Sequence, residues 1–187
     1  MVGWDGRTIL TTPRLKLRTF CREDLPLYAA LNADPEVVHY LGGVPLTREY
    51  SDDIAEWAQQ RYLDEGLGLL AVERRIDGAF LGMCGLHHLG SFPDDIEVAW
   101  RLAREHWGFG YATEAATAWL DHGFDTFALR RVISVADPPN ERSIAVMRRL
   151  AMEFEQRSEI EEEGERFEVV VYAVTAERWR AHRERPL

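Results

Sequence analysis

The sequence predicts a mixed α/β fold, an α+β arrangement in which a mostly antiparallel sheet is flanked by helices, and three observations carry that prediction. Apolar residues recur with period two in some stretches and with helical spacing in others, and the two patterns alternate along the chain. Three strand-like segments follow one another mid-chain across short turns, an arrangement that an all-parallel sheet does not use. A glycine-rich turn, Gly108-Phe109-Gly110, then feeds a long helix, and a further strand follows it.

At 187 residues, 46% hydrophobic and 29% charged, the chain has the size and composition of one domain able to bury a core. Residues 1–187 are read as a single domain, with 1–12 as a loose N-terminal segment. The 22 basic and 32 acidic side chains leave a net charge of −10, which disfavours nucleic acid and anionic membrane and suits an amine-bearing partner. Cys21 and Cys84 match neither a disulfide framework nor metal-ligand spacing. No apolar run has the length of a membrane span, and Met1 to Thr12 lacks the basic start and apolar core of a signal peptide. The expectation is a cytoplasmic protein that needs no metal.

The alternation of Leu15 and Leu17 with Arg14, Lys16 and Arg18 predicts the first strand over 14–19. Asp24 is placed to cap a helix reaching Asn32, which Asp34-Pro35 ends, and a short helical turn holds Val37, Val38 and Tyr40. After the loop at Gly42-Gly43 and Pro45, the spacing of Tyr50, Ile54, Trp57, Ala58 and Tyr62 predicts a helix from Thr47 to Gly66. Strands follow at Leu69 to Arg74 and Phe80 to Leu86 about a turn at Asp77-Gly78, with Gly82 and Gly85 marking a bend or a close approach. Asp94-Asp95 is read as a turn into the strand Ile96 to Leu102. Beyond the glycine turn and its helix come a strand at Arg131 to Ala136 and a helix from about Arg142 to Leu150. Two strands, Phe154 to Ile160 and Phe167 to Thr175, are joined by a Glu-rich turn at Gly164, and a short helix surrounds Trp179.

The glycine turn carries the chemistry. Small residues let a ligand approach the backbone, and the free amides and dipole of a helix's first turn favour an anion, so the stretch reads as a phosphate-binding loop. An ordinary tight turn is the plain alternative. A dinucleotide site is another, but Gly108-x-Gly110-x-x-Thr113 lacks the third glycine of that fingerprint and falls past mid-chain.

The order of TPRLKLR, DPEVVHYL, FLGMCGLHHL, IEVAWRLAREHWGFGYATEA and DPPNERSIAVMRRLAMEF resembles the GNAT superfamily of N-acetyltransferases, within it the RimJ/RimL-like group. The resemblance spans nearly the whole chain. It implies a mixed sheet whose fourth and fifth strands splay apart, with acetyl-CoA as co-substrate in the gap. Trp107, Gly108, Phe109, Gly110, Tyr111, Ala112 and Thr113 then form the pyrophosphate cradle. Asn140 and Ser143 match the family's Asn-x-x-Ser near the pantetheine arm, a pair that cap preference also explains. Trp107 replaces the wider family's Arg or Gln, and Ala151-Met152 replaces its usual Gly-Phe.

The implied reaction is direct attack of a neutral amine on the thioester, held in place by the protein. A backbone N–H around Ala99 to Leu102 would polarise the carbonyl, Glu97 would take the amine's proton through water, and Ser143 would protonate the departing thiolate. His87 or His88 is the alternative base. Cys84 suits the core better than a nucleophile's role. Arg148 and Arg149 are either solvated or near the CoA 3′-phosphate, and His39, Tyr40 and Trp57 either pack in the core or wall the acceptor cleft. The run Glu159 to Glu165 reads as a solvated hairpin end or an attractor of cations. The acceptor is a protein N-terminus or a small-molecule amine. A larger acyl donor such as succinyl, a CoA-binding module without turnover and a homodimer are all compatible with the sequence.

Overall fold

A computed structural model describes residues 3–162 and 165–184. Eight strands form one sheet, β1 (Thr8–Thr11), β2 (Leu15–Arg18), β3 (Leu69–Arg74), β4 (Phe80–Leu89), β5 (Phe92–Leu102), β6 (Arg131–Ala136), β7 (Glu153–Glu162) and β8 (Glu165–Thr175). Their order across the sheet is β1-β2-β3-β4-β5-β6-β8-β7. Every neighbouring pair is antiparallel except β5 and β6, which are parallel and meet at one register pair, Glu97 with Ile133. The splay expected of the fourth and fifth strands therefore falls between the fifth and sixth. An additional N-terminal strand shifts the count.

The strand pattern sorts side chains onto two faces. Leu70, Val72, Cys84, Leu86 and Val98 join the larger core under α4 (Tyr111–Thr126), where Trp119 and Leu120 are fully buried, and α5 (Glu141–Arg149), which adds Ile144 and Met147. On the other face Leu69, Ala71 and Met83 pack with Tyr28 and Leu31 of α1 (Asp24–Asn32) and Ala55 and Ala58 of α3 (Arg48–Glu65). The short α2 (Pro35–Val38) adds Val37 to this second core, and Asp34 caps α2 by accepting from Glu36 N–H. Thr47 caps α3 by accepting from Tyr50 N–H at 3.2 Å, and Gly66, left-handed at φ +72°, ends it. The last helix, α6 (Ala176–Arg183), buries Trp179. None of the described helices is long and apolar enough to cross a membrane.

Several expectations are corrected. Residues 1–12 are not wholly loose: Thr8–Thr11 pairs with β2, Thr8 opposite Arg18 and Leu10 opposite Leu17, because β2 offers a free edge that backbone groups can satisfy. Asp24 does not cap α1; its buried carboxylate takes both Nη atoms of Arg18, at 2.6 and 2.8 Å. Asp94-Asp95 is not a turn. It lies inside β5, and Arg131 at the start of β6 binds Asp95 at 2.7 Å while also binding Glu155 of β7, so an ion pair holds a sequence that propensity assigns to a turn. Strand β4 runs on to Leu89, and the turn expected at Gly164 lies outside the described residues.

Gly85 does mark a close approach. A Cβ there would overlap the carbonyl oxygen of Gly68, at the entry to the adjacent β3. Gly85→Ala is accordingly expected to destabilise the protein by roughly 2–3 kcal/mol, read as a lower urea midpoint at unchanged slope; an unaltered midpoint would show that the backbone at Gly68 gives way freely.

Candidate functional site: the cleft between the splayed strands

Below Glu97 the sheet halves are clamped by Arg131, which bridges Asp95 and Glu155. Above it β5 and β6 share no further register pair, and a cleft of about 2570 Å³ opens between them. Its walls bring together residues from distant parts of the chain: Trp107 to Thr113 at one end, Asn140 and Ser143 beside them, Glu97 at the point of divergence, and Tyr40, Trp57 and His87 on the side of α3.

The glycine turn is built for exposed amides. Gly108 and Gly110 adopt φ of +82° and +79°, conformations that L side chains rarely take, and a Cβ at Gly108 would meet only open space. Helical bonding starts with Glu114 N–H, which donates to Gly110 O at 3.0 Å, so the first-turn amides of Tyr111 to Thr113 precede the helix's own ladder. These are the donors an anion needs, and the residues fit a diphosphate there. Trp107 contributes a wall rather than a donor, since its Nε1–H is committed to Leu102 O at 2.8 Å.

Four residues that sequence reasoning did not connect, Thr12, Arg14, Glu114 and Arg142, support this turn. Arg14 donates from Nε to Glu114 Oε2 at 2.5 Å and from Nη1 to Phe109 O at 2.9 Å, and its guanidinium lies 4.7 Å from the centre of the Tyr111 ring. Burial alone would raise the Glu114 carboxyl, but the Thr12 hydroxyl and the Arg14 amide and guanidinium outweigh it and hold the group below the usual carboxylate range. Arg142 lies over the Trp107 ring at 4.9 Å and also faces the cleft. Separations of about 100 residues, as between Arg14 and Glu114, leave no periodic signal to read.

Glu97 is buried and held from two sides. Its Oε1 accepts from Val135 N–H of β6 at 3.2 Å, and its Oε2 lies 3.2 Å from His87 Nε2. The carboxylate thus satisfies a β6 amide just where the ladder ends. His87 stands opposite Glu97 in the β4–β5 register, a pairing that joins the two residues weighed separately as bases. Trp57 packs against His87 edge to face at 6.1 Å, and His39 against Tyr40 at 4.5 Å, so these aromatics line the cleft rather than the core.

Asn140 caps α5 by accepting from Ser143 N–H at 3.1 Å, and both line the cleft. Arg149 reaches the cleft, whereas Arg148 turns to Glu141 and the Tyr172 hydroxyl. Cys84 is fully buried and burial pushes its thiol up, which keeps it protonated within the core.

Residues 14–153 match a family model described as an acetyltransferase (GNAT) domain. The chain is 34% identical over 159 residues to the uncharacterized protein YkkB of Bacillus subtilis strain 168, covering 80% of this chain and 88% of that protein. It is 26% identical over 147 residues to the spermidine N(1)-acetyltransferase of Escherichia coli strain K12, covering 75% and 74%. Among solved structures, RimL, a ribosomal L7/L12 alpha-N-protein acetyltransferase in complex with coenzyme A, superposes with a TM-score of 0.74 at 15% identity, over 90% of this chain and 98% of that one.

Proposed function

The chain belongs to the GNAT acetyltransferase family, and from that membership we propose that it transfers an acetyl group from acetyl-CoA to a primary amine by direct attack in a ternary complex. The observation that carries the reading is the left-handed glycine turn, whose open amides face the same cleft as a buried carboxylate. Acetyl-CoA supplies a thioester already activated towards amines.

The protein's part is positioning and proton traffic. The amides of Gly108 to Thr113 hold the diphosphate, with Arg142 and Arg149 adding positive charge along the same wall. The β5 edge between Ala99 and Leu102, left without register pairs to β6, offers backbone N–H groups to the acyl oxygen. Glu97 takes the amine's proton through water and is kept in place by Val135 N–H and His87. Ser143, whose backbone N–H donates to Asn140 Oδ1, delivers a proton to the departing thiolate. A succinyl or other larger acyl donor and a non-catalytic CoA-binding module are the competing readings. The similar proteins named above include a polyamine acetylase and an N-terminal acetylase, so likeness alone favours neither acceptor.

The deciding experiment offers a library of amines and peptides with acetyl-CoA or succinyl-CoA and follows thiol release and product mass. Saturable acetyl-CoA binding without thiol release across the library would leave a binding module. Gly110→Asp places a negative charge on the loop in a strained conformation and is expected to weaken acetyl-CoA binding at least 100-fold while the melting temperature moves by only a few degrees; undiminished affinity would remove the loop from the mechanism. Glu97→Gln keeps an oxygen for Val135 N–H but loses the proton acceptor, so kcat should fall 10²-fold or more, in line with general-base contributions; a normal kcat would assign the proton elsewhere. Ser143→Ala should lower kcat by more than it lowers acetyl-CoA affinity, and equal losses would reduce the serine to a binding role.

A further inference from the structure

Resting on the amine-acceptor reading above, a cation in the acceptor half of the cleft narrows the class of acceptor. Arg101 is half-buried on β5, two and four residues beyond Ala99 and Glu97, so the three side chains share one face of the strand. Opposite them on β4 stand Met83, Gly85 and His87. The small Ala99 lies between the Glu97–His87 end and the Arg101 end of the cleft, and Met83 with Ile54 and Trp57 of α3 lines the same space. Among the described residues the guanidinium donates one hydrogen bond, from Nη1 to Asn32 Oδ1 at 2.8 Å. No carboxylate pairs with it among the described residues, whereas each other described arginine lacking an ion pair is exposed.

Asn32 holds the guanidinium from the core side: it is fully buried, its oxygen accepts from Arg101, and its amide end is turned to the Tyr28 phenol. The buried Tyr28 phenol close to both residues does not supply the missing charge: burial pushes it up against the opposing pulls of Arg101 and the Asn32 side chain, it stays protonated, and it donates to Met83 Sδ. A half-buried fork of N–H donors that lines the cleft with no carboxylate against it, in a chain with ten more acidic than basic side chains, is a site short of an anion.

We propose that Arg101, steadied by Asn32, anchors a carboxylate of the acceptor whose amine is presented at Glu97. Four residues of strand put the two Cα positions roughly 13 Å apart. Amine and carboxylate therefore sit several bonds from one another, as in a short peptide or an N-terminal segment with an acidic side chain, rather than on one carbon as in a free α-amino acid.

The test compares acid and amide versions of the same acceptor: Ala-Ala against its C-terminal amide, and the tripeptide amides Ser-Glu-Ala and Ser-Gln-Ala, with alanine and alaninamide as the short control. The first pair reads a terminal carboxylate and the second an acidic side chain. The wild-type protein is expected to favour the acid at least tenfold in kcat/KM in one of the two peptide pairs. Arg101→Gln should bring that ratio close to one, Arg101→Lys should keep part of it, and Asn32→Asp, which sets a carboxylate of the protein against the guanidinium, should also abolish it. A wild-type ratio near one, or a ratio that survives Arg101→Gln, overturns the anchor and leaves acetyl transfer standing. Calorimetric binding of the same peptides to the CoA complex separates the two ideas. Acid preference in binding without thiol release would retain the anchor and sink the transfer reaction, and no preference in either assay sinks the anchor. Melting temperature and acetyl-CoA affinity of each variant confirm that it is folded.

Discussion

Everything functional in this molecule follows from two parallel strands that part after one register pair. A sheet does not open in its middle without cause, because every backbone group exposed by the parting must find another partner. Here the closed end is clamped by Arg131, which grips Asp95 of β5 and Glu155 of β7 together. At the parting itself the Glu97 side chain takes the place of a strand and accepts from Val135 N–H. Beyond that point the edges of β5 and β6 face a cleft instead of each other. A substrate with its own amide groups can complete what the ladder leaves unfinished.

The glycine turn lies at the open end of that cleft, and its electrostatics answer an apparent conflict. Glu114 puts a carboxylate in the first turn of the helix proposed to hold a diphosphate. A charge there suits the helix dipole but would repel the ligand. Thr12 and Arg14, from the start of the chain, absorb it in short hydrogen bonds, and Arg14 also ties down the Phe109 carbonyl. The turn between β1 and β2 thus supports the loop from the rim of the cleft.

Much of the fold was legible because local signals agreed with the tertiary outcome. Thr47 and Gly66 bound α3 by cap and left-handed stop, and the strands at Leu69–Arg74 and Arg131–Ala136 fall where their apolar runs end. The strand at Thr8–Thr11 was not legible, since its reason is the free edge of β2 rather than its own pattern. Asp94-Asp95 misled for the opposite cause: a turn-like pair is held in a strand by an arginine 36 residues away from Asp95. In the cleft, the glycine loop could be read from residue type because few other residues tolerate its backbone. The joining of His87 to Glu97 required the β4–β5 register, and that of Arg101 to Asn32, 69 residues apart, required the packing of α1 on the sheet.

The tryptophans are distributed so that the protein carries its own optical gauge. Trp119 is sealed in the core with its indole N–H on the Cys84 carbonyl, and its emission will register unfolding while ignoring what enters the cleft. Trp107 borders the glycine loop under Arg142, and Trp57 stands beside His87 on the opposite wall. With Trp100 of the same cleft replaced, quenching at the first ring and at the second can be titrated apart, by replacing one indole at a time, to follow which wall a ligand reaches first.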